Sequence, residues 1–314
     1  LGLHQALLRT GHAHRIAKGG EDHVRPFGDR DAVVDPAHRQ DAHRAARPVH
    51  QLDGLGEHAF EAVAKDSTCA AVFHLGDITS MGGVSRYWEE FDLNSRALTD
   101  AHIPIYPAFG NHEYLPWGDD GVSNMVERFP FLSTSWYLRR IGPLAVVILN
   151  STFSHLSETE ATEQEQWYEH TLRGLDDDTT VSVVIVGCHH PPYTNSTIVD
   201  PSKQVALVFV PPFVKSRKAR LFISGHSHAL EHFTQNGKEF LVIGGGGGLL
   251  PPLLPEGEQR WPDKVVHEGN RSFFHYVRIT PHPDRTTVEV YMLTPDCNGV
   301  RSVYSFELFS NVAN

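Results

Sequence analysis

Four apolar runs in this 314-residue sequence each end in a short polar cluster whose side chains could hold a metal ion. Residues 69–75 lead to Gly76-Asp77, and residues 103–109 lead to Gly110-Asn111-His112-Glu113. Residues 181–186 lead to Cys188-His189-His190-Pro191-Pro192, and residues 221–224 to Gly225-His226-Ser227-His228. Ligands of α/β sheets gather outside the carboxyl ends of the strands, so loops distant in sequence can meet at one site. Asp, Asn and His together offer oxygen and nitrogen, a set suited to Zn, Mn or Fe rather than to a thiolate centre. A carboxylate such as Asp77 can bridge two cations. Two cations about 3.5–4 Å apart stabilise both the attacking and the leaving oxygen of a phosphoryl displacement.

The elements that must position these clusters are those of a mixed α/β domain. A helix is predicted over 85–99, with Tyr87, Trp88, Phe91, Ala97 and Leu98 near helical spacing. Residues 135–141 and 144–150 pair as a hairpin turning at Gly142-Pro143, and 158–175 form a helix whose acidic first turn suits the helix dipole. Pro211 and Pro212 make 203–218 a broken helix at best. A strand over 239–243 runs into five glycines, and three strand-like runs follow at 273–280, 287–293 and 303–309. The glycines lack the strand–turn–helix context of a dinucleotide loop and read as backbone packed closely beside the site. Asn150 and Ser151 face the site or simply polarise a loop. His190 reads as a packing or supporting histidine, and Cys188 as a small buried residue.

Composition excludes several classes of function. Lys plus Arg number 27 against 38 Asp plus Glu, a net charge of −11 that argues against nucleic-acid binding. No apolar run reaches the ~18 residues of a membrane-spanning helix, and 40% hydrophobic residues suit a globular core. Three cysteines make no disulfide framework. The chain starts with Leu and shows no signal segment, so it reads as a mature form or a fragment. The compartment is left open, secreted or periplasmic after loss of a signal peptide and cytoplasmic otherwise.

Of the 21 histidines, eight precede residue 60 at irregular spacing, in a segment without Ser, Asn, Tyr or Trp. We divide the chain into this atypical segment, 1–60, and a domain over 61–314. The segment reads as a poorly ordered arm, a divergent first β-α unit, or an out-of-frame translation of a GC-rich gene.

The four clusters, in their order, resemble the motifs of the calcineurin-like metallophosphoesterases. Cys188-His189-His190-Pro191-Pro192-Tyr193, Gly225-His226-Ser227-His228 and Gln166-Trp167-Tyr168-Glu169 are similar to the purple-acid-phosphatase-like, bacterial-type branch. The resemblance covers residues 68–310. It implies a four-layer α/β/β/α sandwich with two mixed sheets and a centre of two metal ions. Asp77 would bridge both ions; Asn111, His189 and His226 would complete one site, and His228 would bind the other. His189 is preferred to His190 because the family's ligand stands two places before the proline. His112 would face the phosphate as general acid or donor, work that imidazole suits near neutral pH. The implied reaction is hydrolysis of small phosphomonoesters by in-line attack of a metal-bound hydroxide. The alternatives are a phosphodiesterase, and a phospho-ligand-binding protein lacking a complete first metal site.

Two departures from that pattern matter. Ser80 stands where the purple enzymes carry an iron-binding Tyr, which points to Mn, Zn or non-chromophoric Fe. The first-motif Asp has three candidates, Asp29, Asp35 and Asp41. Asp29, in Phe27-Gly28-Asp29, ranks first; Asp41-Ala42-His43 has the better spelling but no apolar strand directly before it.

Overall fold

The computed structural model describes residues 55–309 apart from 117, 267–271, 295, 297 and 298. Most of the atypical segment lies outside these residues. Its end belongs to helix α1 (Leu55–Ala64), which crosses residue 60 unbroken and buries Phe60.

Strands β4 (Leu144–Ile148) and β5 (Val183–Cys188) are buried along their whole length. Apolar side chains on both faces require cover on both sides, as in the interior of a parallel sheet. They are interior strands of a six-stranded sheet with β3 (Tyr137–Ile141), β6 (Ala219–Ser224), β7 (Leu230–Gln235) and β8 (Lys238–Ile243), in the order β3-β4-β5-β6-β8-β7. Neighbours among β4, β5, β6 and β8 are parallel, whereas β3 and β7 are antiparallel edges. Register places Val146 beside Ile185 on one face and Val147 beside Val186 on the other.

The first of these faces shares a core with β1 (Val72–His74), β9 (His275–Pro281), β10 (Arg285–Leu293) and β11 (Val300–Phe309). The second packs on helices α5 (Glu158–Asp177), α6 (Lys203–Val208) and α7 (Val210–Lys215). A third cluster joins β1 and β2 (Ile105–Pro107) to α1, α2 (Ser85–Asn94), α3 (Arg96–Asp100) and α4 (Gly118–Arg128). The result is the α/β/β/α layering, with one qualification. The layer facing the six-stranded sheet comes in two hydrogen-bonded pieces, a parallel β1–β2 pair and an antiparallel β9–β10–β11 sheet.

Local differences from the sequence reading have local causes. The helix expected over 85–99 breaks at the buried Ser95, whose N–H still donates to Phe91 O. The proline-containing stretch becomes two helices meeting at Phe209, with proline in the first turn of α7, where its missing N–H leaves no bond unmade. Helix α5 starts on a capping box: Glu160 N–H donates to Ser157 Oγ, and the Glu160 carboxylate accepts from Ser157 N–H. Helices α1 and α4 and strand β7 were not expected. In β7 the period is hidden because Leu230, Glu231, His232 and Phe233 are all buried. Among the described residues no helix is long and apolar enough to cross a membrane.

Candidate metal centre

The strand ends meet through a carboxylate that is itself no part of the predicted centre. Glu113 is fully buried, and its Oε2 accepts from the N–H groups of Asp77 and Gly110, both at 2.7 Å. Its Oε1 accepts from Ile78 N–H at 2.7 Å, so one side chain ties the turn after β1 to the turn after β2. Burial and the neighbouring Asp77 push the Glu113 carboxyl up to about 7, against the N–H donors that favour its charged form. Gly110 lets the two turns close: a Cβ there would overlap the Asp77 carboxylate.

Asp77, His226 and His228 all have positive φ, at 53°, 63° and 49°. Three non-glycine residues in this sparsely occupied region, all at one centre, show backbone strain collected where side-chain direction matters.

Four potential ligand atoms converge beside the turn. His189 Nδ1–H donates to the carbonyl of Leu75 at 2.7 Å, which turns Nε2 and its lone pair inward. That nitrogen lies 3.1 Å from Asp77 Oδ2, 3.2 Å from Asn111 Oδ1 and 3.0 Å from His226 Nδ1. Tetrahedral ligands at 2.0–2.1 Å from a cation stand about 3.3–3.4 Å apart, so the spacing fits an ion with modest outward relaxation. The chemistry of the set agrees: a carboxylate oxygen, an amide oxygen and two imidazole nitrogens are all atoms that ligate such a cation. Burial, followed by the charge of His189, pushes His226 down to about 2, so its ring is neutral. Burial also works against a charged His189, but Asp77 more than compensates and raises it. A metal ion at this position would compete with protonation of His189 Nε2. Asp77 itself is drawn below the carboxylate range: burial opposes its charge, and His189 and His112 outweigh burial.

His228 and His112 are held as His189 is. His228 Nδ1–H donates to Leu249 O at 2.8 Å and His112 Nδ1–H to Ser80 O at 2.7 Å, leaving each Nε2 for the site. A backbone carbonyl behind a ring nitrogen is the usual means of fixing tautomer and orientation in a metal-binding histidine. Burial lowers His228, and the Leu249 carbonyl and Asp77 act against it. The backbone N–H of His112 also donates to Asp77 Oδ1 at 2.9 Å. Gly248 passes so close to the His228 ring that a Cβ there would overlap it, which accounts for that glycine.

The structure thus brings together Asp77, Asn111, His112, His189, His226 and His228. Asp29, with its alternatives Asp35 and Asp41, lies outside the described residues. Two further residues join the cluster. The His190 ring stands 4.4 Å from that of His226, and its Nδ1 is 2.9 Å from Ser151 Oγ at the end of β4. The ring nitrogens of His189, His190 and His226 offer atoms within 4.8 Å of one another. Asn150 turns instead to Tyr114 OH and Ser135 Oγ. The Cys188 thiol is buried and pushed up by that burial, as expected of an inert residue. Glu113 was the residue missed; its only sequence signal is its place directly after His112.

The calcineurin-like phosphoesterase family matches residues 41–230 by its sequence model. The Arabidopsis thaliana protein named probable inactive purple acid phosphatase 9 is 22% identical, over 71% of this chain and 41% of its own length. The purple acid phosphatase PPD1 from yellow lupin (Lupinus luteus) seeds superposes with a TM-score of 0.63 at 18% identity, covering 82% of this chain and 49% of that one. GAP50, the anchor in the inner membrane complex of Plasmodium, gives a TM-score of 0.57 at 14% identity, over 83% of this chain and 84% of its own. The chain spans less than half the length of the Arabidopsis and lupin proteins.

Proposed function

The chain belongs to the calcineurin-like phosphoesterase family, and from that premise we propose that it hydrolyses phosphomonoesters at a centre of two metal ions. The observation that carries this reading is the convergence of Asp77, Asn111 and His226 on His189 Nε2, within 3.0–3.2 Å. Asp77 would serve both ions, with Asn111, His189 and His226 completing one site and His228 contributing to the other. When bound, two such cations lower the pKa of water toward about 7 and draw charge from the phosphoryl oxygens.

The remaining work falls to the chain's own side chains. His112, anchored by Ser80 O and by its own N–H to Asp77, presents Nε2 to the ester and donates a proton to the leaving oxygen. Glu113 keeps the two strand-end turns in register, so that His112 and Asp77 stay on the same side of the phosphoryl group.

The carboxylate partner of His228 is to come from the N-terminal segment. Asp29 precedes the stretch matched by the family, whereas Asp41-Ala42-His43 opens it, which favours Asp41. A second reading, a binder of phosphorylated ligands that holds a single ion, draws on one observation. Of the ligands that the resemblance implies, the described residues supply the second ion with only Asp77 and His228. Metal analysis of purified protein with a 4-nitrophenyl phosphate assay separates the two. Two Mn, Zn or Fe ions per chain with turnover support the phosphatase; one ion and no turnover after loading support the binder. Faster cleavage of bis(4-nitrophenyl) phosphate than of the monoester would make it a diesterase instead.

A further inference from the structure

We propose that the mouth of this centre is built for an ester with one phosphoryl group and an apolar leaving group, such as an alkyl or aryl phosphate. The proposal rests on the phosphoesterase reading for where the phosphoryl group sits, and adds what lies beyond it.

Six loops leave the strand ends around the centre: 78–84, 112–116, 150–157, 190–202, 225–229 and 244–256. They contain no Lys or Arg, and the acids Glu113, Asp200 and Glu256 are their only side chains of fixed charge. A second or third phosphate on the substrate would meet no cationic side chain from these loops. Arg260, which reaches them from outside, is spent on structure: its guanidinium donates to the carbonyls of Thr194 and Ser196 and pairs with Asp200.

The exposed large apolar side chains of these loops are all aliphatic. Ile198 is 74% exposed and Leu249 72%, and Met81 and Leu115 are exposed to a lesser degree. Both pairs are tied to the centre by the backbone. The Leu249 carbonyl accepts from His228, Met81 follows the Ser80 carbonyl that orients His112, and Leu115 N–H donates to His112 O. The Ile198 loop is braced rather than loose. Thr197 N–H and Oγ–H both donate to Pro252 O, and Leu254 N–H donates to Asn195 O. Thr194 Oγ–H and Asn195 N–H also donate to the buried Glu231. Aliphatic side chains held out from a braced frame beside a polar centre are an apolar wall for a ligand, and the part of a phosphate ester that reaches past the phosphoryl group is its leaving group.

The test is calorimetric titration of the Mn-loaded full chain with n-alkylphosphonates from methyl to hexyl, which bind but are not hydrolysed. Affinity is expected to rise about two- to fourfold per methylene over the first few carbons, the gain of partly to fully buried CH₂ groups. Ile198→Ser combined with Leu249→Ser should halve that increment or more, whereas Leu93→Ser, on a leucine of α2 that is 62% exposed, should keep it. Affinity that is flat with chain length, no measurable binding of any phosphonate, or pyrophosphate binding tighter than hexylphosphonate would each overturn the proposal. Turnover of n-alkyl phosphates, measured in parallel, reports on the reading beneath it. Graded binding with no turnover upholds the apolar mouth and removes the phosphoesterase, and turnover with flat binding does the reverse.

Discussion

Two buried histidine–carboxylate clusters in this molecule use the same side chains to opposite ends. In the first, around His189, the neighbours are Asp77, Asn111 and His226, and each offers a lone pair. In the second, on β7, His232 Nε2 faces Glu239 at 2.8 Å, and its Nδ1 faces Tyr304 OH at 2.7 Å. Glu239 also accepts from Thr234 Oγ–H and Lys264 Nζ, and the His232 ring stacks on Phe306. Donors and acceptors balance around His232, which therefore needs nothing from solution. Among the described neighbours of His189 Nε2, namely Asp77 Oδ2, Asn111 Oδ1 and His226 Nδ1, acceptors outnumber donors, and low-dielectric surroundings favour a cation there. A buried histidine next to an acid thus says little by itself; the count of donors against acceptors separates a binding site from a brace.

The largest expected effect is at the unbalanced cluster. Asp77→Asn should lower phosphomonoester turnover by at least about 10³-fold. It should also abolish the rise in melting temperature that Mn or Zn produces in the wild type, worth about 2.7 kcal/mol at a hundred times Kd. Circular dichroism would show the fold retained, and undiminished turnover in the variant would sink the ligand assignment. Glu113→Gln comes next. The carboxamide offers one acceptor oxygen where three N–H groups arrive, and its NH₂ points donors at donors. Turnover should fall about 10–100-fold, as for residues that orient ligands, and stability by about 1–3 kcal/mol. Equal loss in Glu113→Ala and Glu113→Gln, with no change in metal affinity, would reduce Glu113 to a simple fold residue.

The distinction between the clusters also explains what could be read from the amino acids alone. Asp77, Asn111, His189, His226 and His228 were legible because each follows an apolar strand, and strand-end loops converge in any sheet of this kind. Glu113 was not, because its partners Asp77 and Ile78 are backbone N–H groups whose approach depends on how β1 and β2 pair. The β1–β2 pair and the sheet of β9 to β11 read as strands, but sequence does not reveal that they share no hydrogen-bonded edge. Strand β7 is hidden because its two buried polar residues, Glu231 and His232, break the apolar alternation. Helix α4 begins in Gly118, Asp119, Asp120 and Gly121, poor helix formers, and is held by tertiary packing of Met125.

Smaller effects belong to the balanced cluster. His232→Leu leaves Tyr304 OH without its partner and removes one donor from Glu239, at a cost of about 1–3 kcal/mol by urea denaturation. Hydrolysis by the folded variant should stay within about twofold of wild type, given that His232 touches none of the centre's ligands. A loss comparable to that of Asp77→Asn would erase the distinction between the two clusters.

The finest test is the pH dependence of stability conferred by Glu239. Burial raises its carboxyl, but hydrogen bonds from His232, Thr234 and Lys264 outweigh burial and hold it down to about 2, against an ordinary value of 4.5. A carboxyl depressed in the folded state binds fewer protons there than in the unfolded chain. Its contribution is complete above the unfolded value and is lost as pH falls through the folded one. The stability difference between wild type and Glu239→Gln should therefore be constant above about pH 5 and shrink between pH 4.5 and pH 2. The side chain is a quarter exposed, so solvent screening keeps the change small. A difference that stays level across this window would mean that Glu239 is not held by its donors, and that the second cluster is no better balanced than the first.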